Sequence, residues 1–310
     1  MTLNERACRV ADEMERDAER LRIAVSRVAG ARILDCGGAV TGSLAAGLGL
    51  ARACLADLAE VSLVPGSVVP GPAVQVATDD PVRACLASQY AGWQVQVGKF
   101  FAMGSGPMRA LSAREEIYQH ITGKEESPVA VGVLESRKHP TEEVIASIVA
   151  KLPASSESLT VLVAPASSLA GTLQVVARSV ETALHKLHEL KFDVNQVVSG
   201  YGVAPLPPVS PDELAAIGRT NDAILYGGSV VLWVRADDEV LDAIGPRVPS
   251  SSSRDHGEPF AKLFQRYGDF YKIDPLLFSP AEVEFRNLRT GRVHRFGRLE
   301  PDLVKASFAE

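Results

Sequence analysis

Several features that mark large protein classes are scarce or missing in this chain. Its 310 residues include only four cysteines, Cys8, Cys36, Cys54 and Cys85, with no C-x-x-C pair and no metal-ligand spacing. That excludes a zinc ribbon and a disulfide scaffold, and leaves the cysteines as small buried apolar residues in a reduced compartment. No apolar run reaches the length of a membrane-spanning helix. Positive charge is not in excess: 32 Lys and Arg against 38 Asp and Glu give a net charge of −6, which argues against general nucleic-acid binding. Small anionic ligands stay open, because they need only local positive charge. No G-K-[ST] follows a glycine run, so there is no P-loop. Ser-His-Asp and Cys-His patterns are missing, as is any internal repeat. The N-terminal stretch "MTLNERACRVADEMERDAERL" is charged and amphipathic, unlike a secretory signal, so a cytoplasmic location is expected.

What is present suits a large globular protein. Hydrophobic residues make up 46% of the chain, ample for a buried core, and charged residues 23%. Apolar positions at helical spacing predict a first helix over residues 4–28. Strand-like runs ("ARILDCG", "AEVSLVPG", "GPAVQVATD", "WQVQVGKFF", "SPVAVGVLES", "SLTVLVAP") alternate with helical patterns, among them a long one over "SSLAGTLQVVARSVETALHKLHEL". The alternation predicts an α/β fold. "AEVEFRNLRTGRVHRFGRLEPDLV" reads as a hairpin around "RTGR". Composition and loop chemistry predict a discontinuous first α/β domain, 1–124 with 246–310, and a second, 125–245.

Three stretches carry candidate chemistry. "KFFAMGSGPMRALS" runs from a strand through a glycine turn into a helical pattern. Its "GSGPMR" is half of a dinucleotide fingerprint, but Arg109 stands where the third glycine belongs and no acidic residue ends a second strand at the expected distance. Ser105 or Gly106 is left to cap a helix with Pro107 in its first turn, and the N–H groups of the turn can receive an anion or a carbonyl-rich ring edge, with Lys99 and Arg109 adding charge; an ordinary turn fits as well. On the long helix, Gln174, Arg178, Glu181, His185 and His188 share one polar face. That face reads as a solvated surface, as a metal site of Glu181, His185 and His188, or as an acid–base pair in which Arg178 tunes Glu181. The third stretch is "SGYGVAPLPPV". Its glycines permit close backbone approach, and Tyr201 beside Ser199 offers a ring to a flat ligand, or the stretch is a structural turn.

Six strings, "DPVRACLASQYAGW", "GKFFAMGSGPMRAL", "ARSVETALHKL", "VVSGYGVAPLPP", "RTNDAILYGG" and "FYKIDPLLFSPAEV", resemble the methenyltetrahydromethanopterin cyclohydrolase family. The resemblance extends from "NERA" at Asn4 to the final hairpin. It implies a subunit of two α/β domains with a large pocket between them, homotrimers, and no metal or prosthetic group. It further implies a pterin-linked one-carbon carrier, tetrahydromethanopterin or its dephospho form, as substrate, in formaldehyde oxidation. Arg178 and Glu181 match the family's catalytic arginine and glutamate. Lys99, Gly104, Ser105, Gly106, Arg109, Ser199 and Tyr201 are expected to contact the substrate. A non-catalytic pterin-binding protein and a dinucleotide-dependent oxidoreductase are the competing functions.

Overall fold

Thr2 starts the chain's first helix: its hydroxyl accepts the Glu5 N–H while the Glu5 carboxylate accepts the Thr2 N–H, a reciprocal cap. The computed structural model describes residues 1–268 and 272–309; Phe270 and Tyr271 of the last quoted string lie outside the described residues. These residues form two α/β units, one of residues 1–59 with 82–174, the other of 60–81 with 175–310. Among them no helix is long and apolar enough to cross a membrane.

The first unit holds a six-stranded sheet. Helices α1 (Leu3–Arg16) and α2 (Ala18–Leu21) lead into strands β1 (Ala24–Val28) and β2 (Ala31–Asp35), and α3 (Leu44–Cys54) follows. The helix expected over residues 4–28 therefore stops early. Arg22 takes a left-handed φ of 57°, and Ala29 and Gly30, both at positive φ, turn the chain between β1 and β2.

In the second unit's first segment lie β3 (Glu60–Pro65) and β4 (Pro72–Thr78). The first unit resumes with a π-helical stretch, Val82–Gln89, then β5 (Trp93–Val97), β6 (Phe100–Ser105), α4 (Met108–Ser112), β7 (Val129–Glu135), α5 (Glu142–Val149), β8 (Ser158–Ala164) and α6 (Leu169–Val176), whose last residues pass into the second unit. Its strand order is β1-β2-β8-β7-β6-β5, with β2, β8 and β7 parallel and the outer pairs antiparallel. Alternate residues of the parallel strands face opposite layers. Leu34, Val131, Val133 and Leu162 pack with α1 and α3; Ile33, Leu134, Val161 and Val163 pack with Val144, Ile145 and Ile148 of α5.

The second unit continues with α7 (Ser179–Glu189), β9 (Val197–Pro205), α8 (Glu213–Leu225), β10 (Ser229–Val234), α9 (Asp238–Ile244), α10 (Phe260–Tyr267), β11 (Glu282–Asn287), β12 (Val293–Gly297) and α11 (Pro301–Ala309). Its sheet runs β12-β11-β10-β9-β4-β3. The hairpin expected around "RTGR" is present as β11 and β12. It joins β10 in this sheet, however, while β7 and β8 pair in the first unit's sheet. Boundaries near residues 125 and 246 would cut through both sheets, so the observed grouping departs from the expected one. Strand partners distant in sequence determine that grouping, and local composition does not report them.

Lys186 of α7 shows what packing this unit costs. Only 1% of it is exposed; its Nζ donates to Ser252 Oγ and to the Leu276 carbonyl. Burial brings its pKa down to about 8 from 10.5. Between those values the unfolded chain holds more protons than the folded one, so stability rises with pH there. Urea unfolding is expected to show that rise for the wild-type protein and to lose it in Lys186→Met. Equal slopes for the two proteins would contradict the assignment.

Candidate active site

The helix expected as one long element is two. α6 ends at Val176, and Arg178 leaves helical geometry with φ −89° and ψ 7°. Its N–H bonds the Val175 carbonyl three residues back, while its own carbonyl accepts the Thr182 N–H and opens α7. Arg178 is thus the N-cap residue and Glu181 lies in the first turn, where the helix dipole favours a carboxylate. The guanidinium and carboxylate form an ion pair at 3.6 Å, with side chains 10% and 6% exposed. Burial on this scale removes the solvated-face reading: an exposed pair is worth little, but this one sits where few charges are placed without a task.

The rest of the polar face divides. Gln174 is buried, and its Nε2 lies 3.4 Å from Cys54 Sγ. His185 is partly exposed and 3.8 Å from Glu189. Among the described residues no group of three His, Cys, Asp or Glu side chains is placed to share a metal ion, so Glu181, His185 and His188 do not converge as ligands.

The turn of "GSGPMR" differs from its expected form. Strand β5 reverses at Gly98, which takes φ 56°, and β6 then runs through Gly104 and Ser105. Gly106 is at φ 87°, and its N–H donates to the Ser88 carbonyl at 2.8 Å. The following α4 has only five residues, closed by Ala113 at φ 43°. Ser105 is buried, its Oγ 3.3 Å from Cys54 Sγ. A pyrophosphate cradle needs N–H groups free at the start of a full helix; here the Gly106 N–H is already bonded, Pro107 has none, and the helix that follows is five residues long.

Arg109, expected as an added positive charge at the turn, is turned inward. It is fully buried, with Nε and Nη2 on the Glu115 carboxylate and Nη1 on the carbonyls of Leu86 and Ser88. Its guanidinium lies over Tyr90 at 5.0 Å and near Tyr118 at 5.5 Å. Burial opposes its charge, but Tyr118 and Glu115 outweigh that and raise its pKa. Arg109 ties the turn to the π-helical stretch beneath it. Lys99, by contrast, is exposed.

Ser199 and Tyr201 alternate along β9 with Gly200 and Gly202. The glycines face α7, so the two side chains point from the other face of the sheet. Tyr201 Oη donates to Gln75 Oε1 at 2.8 Å, and Ser199 Oγ to Asp79 Oδ1 at 2.7 Å. Both side chains are half-buried. A further well-built feature is the loop that follows β2. The Asp35 carboxylate collects the N–H groups of Gly37, Gly38 and Ala39 and lies 3.0 Å from His139 Nε2. Burial would raise its pKa, yet these donors lower it overall. The "DCGG" string was the available signal, since a carboxylate before two glycines can fold a loop around itself.

With this geometry in hand, comparison with known proteins is decisive. A family model described as "Cyclohydrolase (MCH)" matches residues 2–308. The methenyltetrahydromethanopterin cyclohydrolase of Rhodopirellula baltica is 50% identical over 289 residues, 91% of this chain and 87% of that one. That of Methylobacterium organophilum is 48% identical, covering 94% and 93% of the two chains. That of Methanococcoides burtonii is 42% identical, covering 99% and 98%. The chain belongs to the methenyltetrahydromethanopterin cyclohydrolase family.

Proposed function

We propose that the chain adds water to 5,10-methenyltetrahydromethanopterin to give the 5-formyl derivative, with Glu181 as general base and Arg178 as its charge partner. The enzyme is a cyclohydrolase, acting on the C–N bond of a cyclic amidine. The observation that carries the catalytic assignment is the buried Arg178–Glu181 pair at the first turn of α7.

The methenyl carbon sits between two nitrogens and carries positive charge, so it is already electrophilic. Catalysis needs a placed water, a base, and selective opening of one C–N bond. Glu181 takes a proton as the water oxygen bonds to carbon. The resulting carbinol collapses to the formyl group, the bond to N10 breaks, and N10 gains a proton. Of the water's two protons, one ends on N10 and one is released as the substrate's positive charge disappears. Arg178 keeps Glu181 ionised before attack and balances charge as the cation is neutralised. This chemistry calls for no Lewis acid or redox group, which supports a cofactor-free enzyme with the pterin carrier as its substrate.

Lys99, Ser199 and Tyr201 are the proposed substrate contacts, since their side chains are exposed or half-exposed. Gly104, Ser105, Gly106 and Arg109 act from beneath, by shaping the turn. The protein works in the cytoplasm as a homotrimer, in formaldehyde oxidation through methanopterin-type carriers; its alanine- and arginine-rich composition supports that setting. The test follows methenyl absorbance with purified protein. Absorbance is expected to fall rapidly with the methanopterin substrate and no faster than in buffer with the folate analogue. Binding without loss of absorbance would identify a pterin-binding protein. A change that requires a nicotinamide cofactor would identify an oxidoreductase.

A further inference from the structure

Val180 stands between Ser179 and Glu181 and is fully buried against β9. Its two methyl groups sit over the two glycines of "SGYG". A Cβ on Gly200 would meet Val180 Cγ1 at 2.7 Å, and one on Gly202 would meet Val180 Cγ2 at 2.9 Å. Ser179 Oγ lies over Gly202 as well, and makes no hydrogen bond among the described residues. Gly200 pairs with Thr78 and Leu232, and Gly202 with Val76 and Val230, so both are fixed inside the sheet by neighbours on each side. Neither takes a positive φ. Backbone conformation therefore does not demand glycine at these positions; the close approach of α7 does.

We propose that Gly200 and Gly202 form a seat for Val180, and that this seat positions Glu181 and Arg178 for the reaction. The inference rests on the assignment of Glu181 as the base. Carbon atoms in contact need about 3.5–4.0 Å. A methyl at position 200 therefore drives Val180 back by about 1 Å, or forces it to turn. Turning is costly, because a β-branched residue in a helix is held to one χ1 rotamer. The first turn of α7 is a short rigid lever, so a displacement at Val180 passes to the residues beside it. Misplacement of a catalytic group by about 1 Å can cost about 10²-fold in rate. Gly200 and Gly202 touch none of the reacting atoms in this scheme. They are positioning residues that act through Val180.

The test uses the purified full-length enzyme and reads kcat and KM separately. Gly200→Ala is expected to lower kcat by at least about tenfold with KM within about twofold. Adding Val180→Ala makes room for the new methyl, because the next atoms, Leu232 Cδ2 and Thr78 Cγ2, lie at 3.5 and 3.8 Å. The double variant is expected to be faster than Gly200→Ala, although Val180→Ala removes two core methyl groups. A purely structural role predicts the reverse order, with the double variant both less stable and slower. If Gly200→Ala does not fold, Val180→Ile presses on the same seat from the helix side and is expected to show the same kcat loss. Wild-type kcat in Gly200→Ala, or in Val180→Ile where that variant replaces it, overturns the proposal, as does a double variant slower than its parent. In a Glu181→Gln background Gly200→Ala is expected to cost nothing more. Wild-type kcat in Glu181→Gln itself would refute the base assignment, while the order of the Gly200 and Val180 variants still judges the seat.

Discussion

Glu181→Gln is expected to keep the fold and substrate affinity and to lose about 10²–10⁴ in kcat, the usual span for a general base. The amide is nearly the same size and shape as the carboxylate, so the packing around the first turn of α7 is disturbed little. What disappears is the site that accepts the water's proton. Residual rate is expected, because the methenyl carbon is electrophilic on its own and the bound substrate is still oriented. KM is expected to change less than kcat, since the proton moves only on the way to the transition state. Stopped-flow decay of methenyl absorbance measures the loss, and circular dichroism with thermal unfolding checks the fold. An unchanged kcat would leave the buried pair as a structural feature and move the base elsewhere.

Much of the fold is legible in the sequence where the signal is local. The β-branched apolar runs "SPVAVGVLES" and "SLTVLVAP" become the central strands β7 and β8, and the "RTGR" turn becomes the β11–β12 hairpin. Where the deciding contact is distant, the sequence is silent. The break between α6 and α7 contains neither proline nor glycine, so helical spacing runs unmarked through the point where Arg178 changes conformation. The hairpin of β1 and β2 is hidden for a similar reason: Arg22 and Ala29 take positive φ although neither is glycine, and Gly30 alone is the local mark of the turn.

The candidate site divides along the same line. Arg178 and Glu181 can be placed on one face from their spacing alone, but their burial cannot, and burial is what separates a catalytic pair from a surface one. For Arg109 the surroundings are what the sequence hides. An arginine after a glycine turn suggests an exposed cation, and only the fold reveals Glu115, Tyr90 and Tyr118 closing around it. The glycines beside Tyr201 do signal close approach, yet the approaching group is α7 rather than a ligand.

Arg178→Ala is expected to lower kcat by about 10²-fold and to move the acidic limb of the pH–rate profile to higher pH. Both effects come from one cause. At 3.6 Å inside a buried site, the guanidinium favours the ionised carboxylate. Without it, Glu181 holds its proton to higher pH, so a smaller fraction of the enzyme carries a competent base near the acidic limb. Raising the pH recovers that part of the loss. A second part stays at every pH, because the guanidinium also aims the carboxylate and balances charge as the substrate cation is neutralised. Arg178→Lys keeps the charge but not the planar fork, so it is expected to restore the pH profile more fully than kcat. In Arg178→Ala/Glu181→Gln the losses are expected to fall well short of the product of the single ones, since both residues serve one proton transfer. Fully multiplicative losses, or an acidic limb that does not move in Arg178→Ala, would mean that the arginine acts on the substrate independently of Glu181.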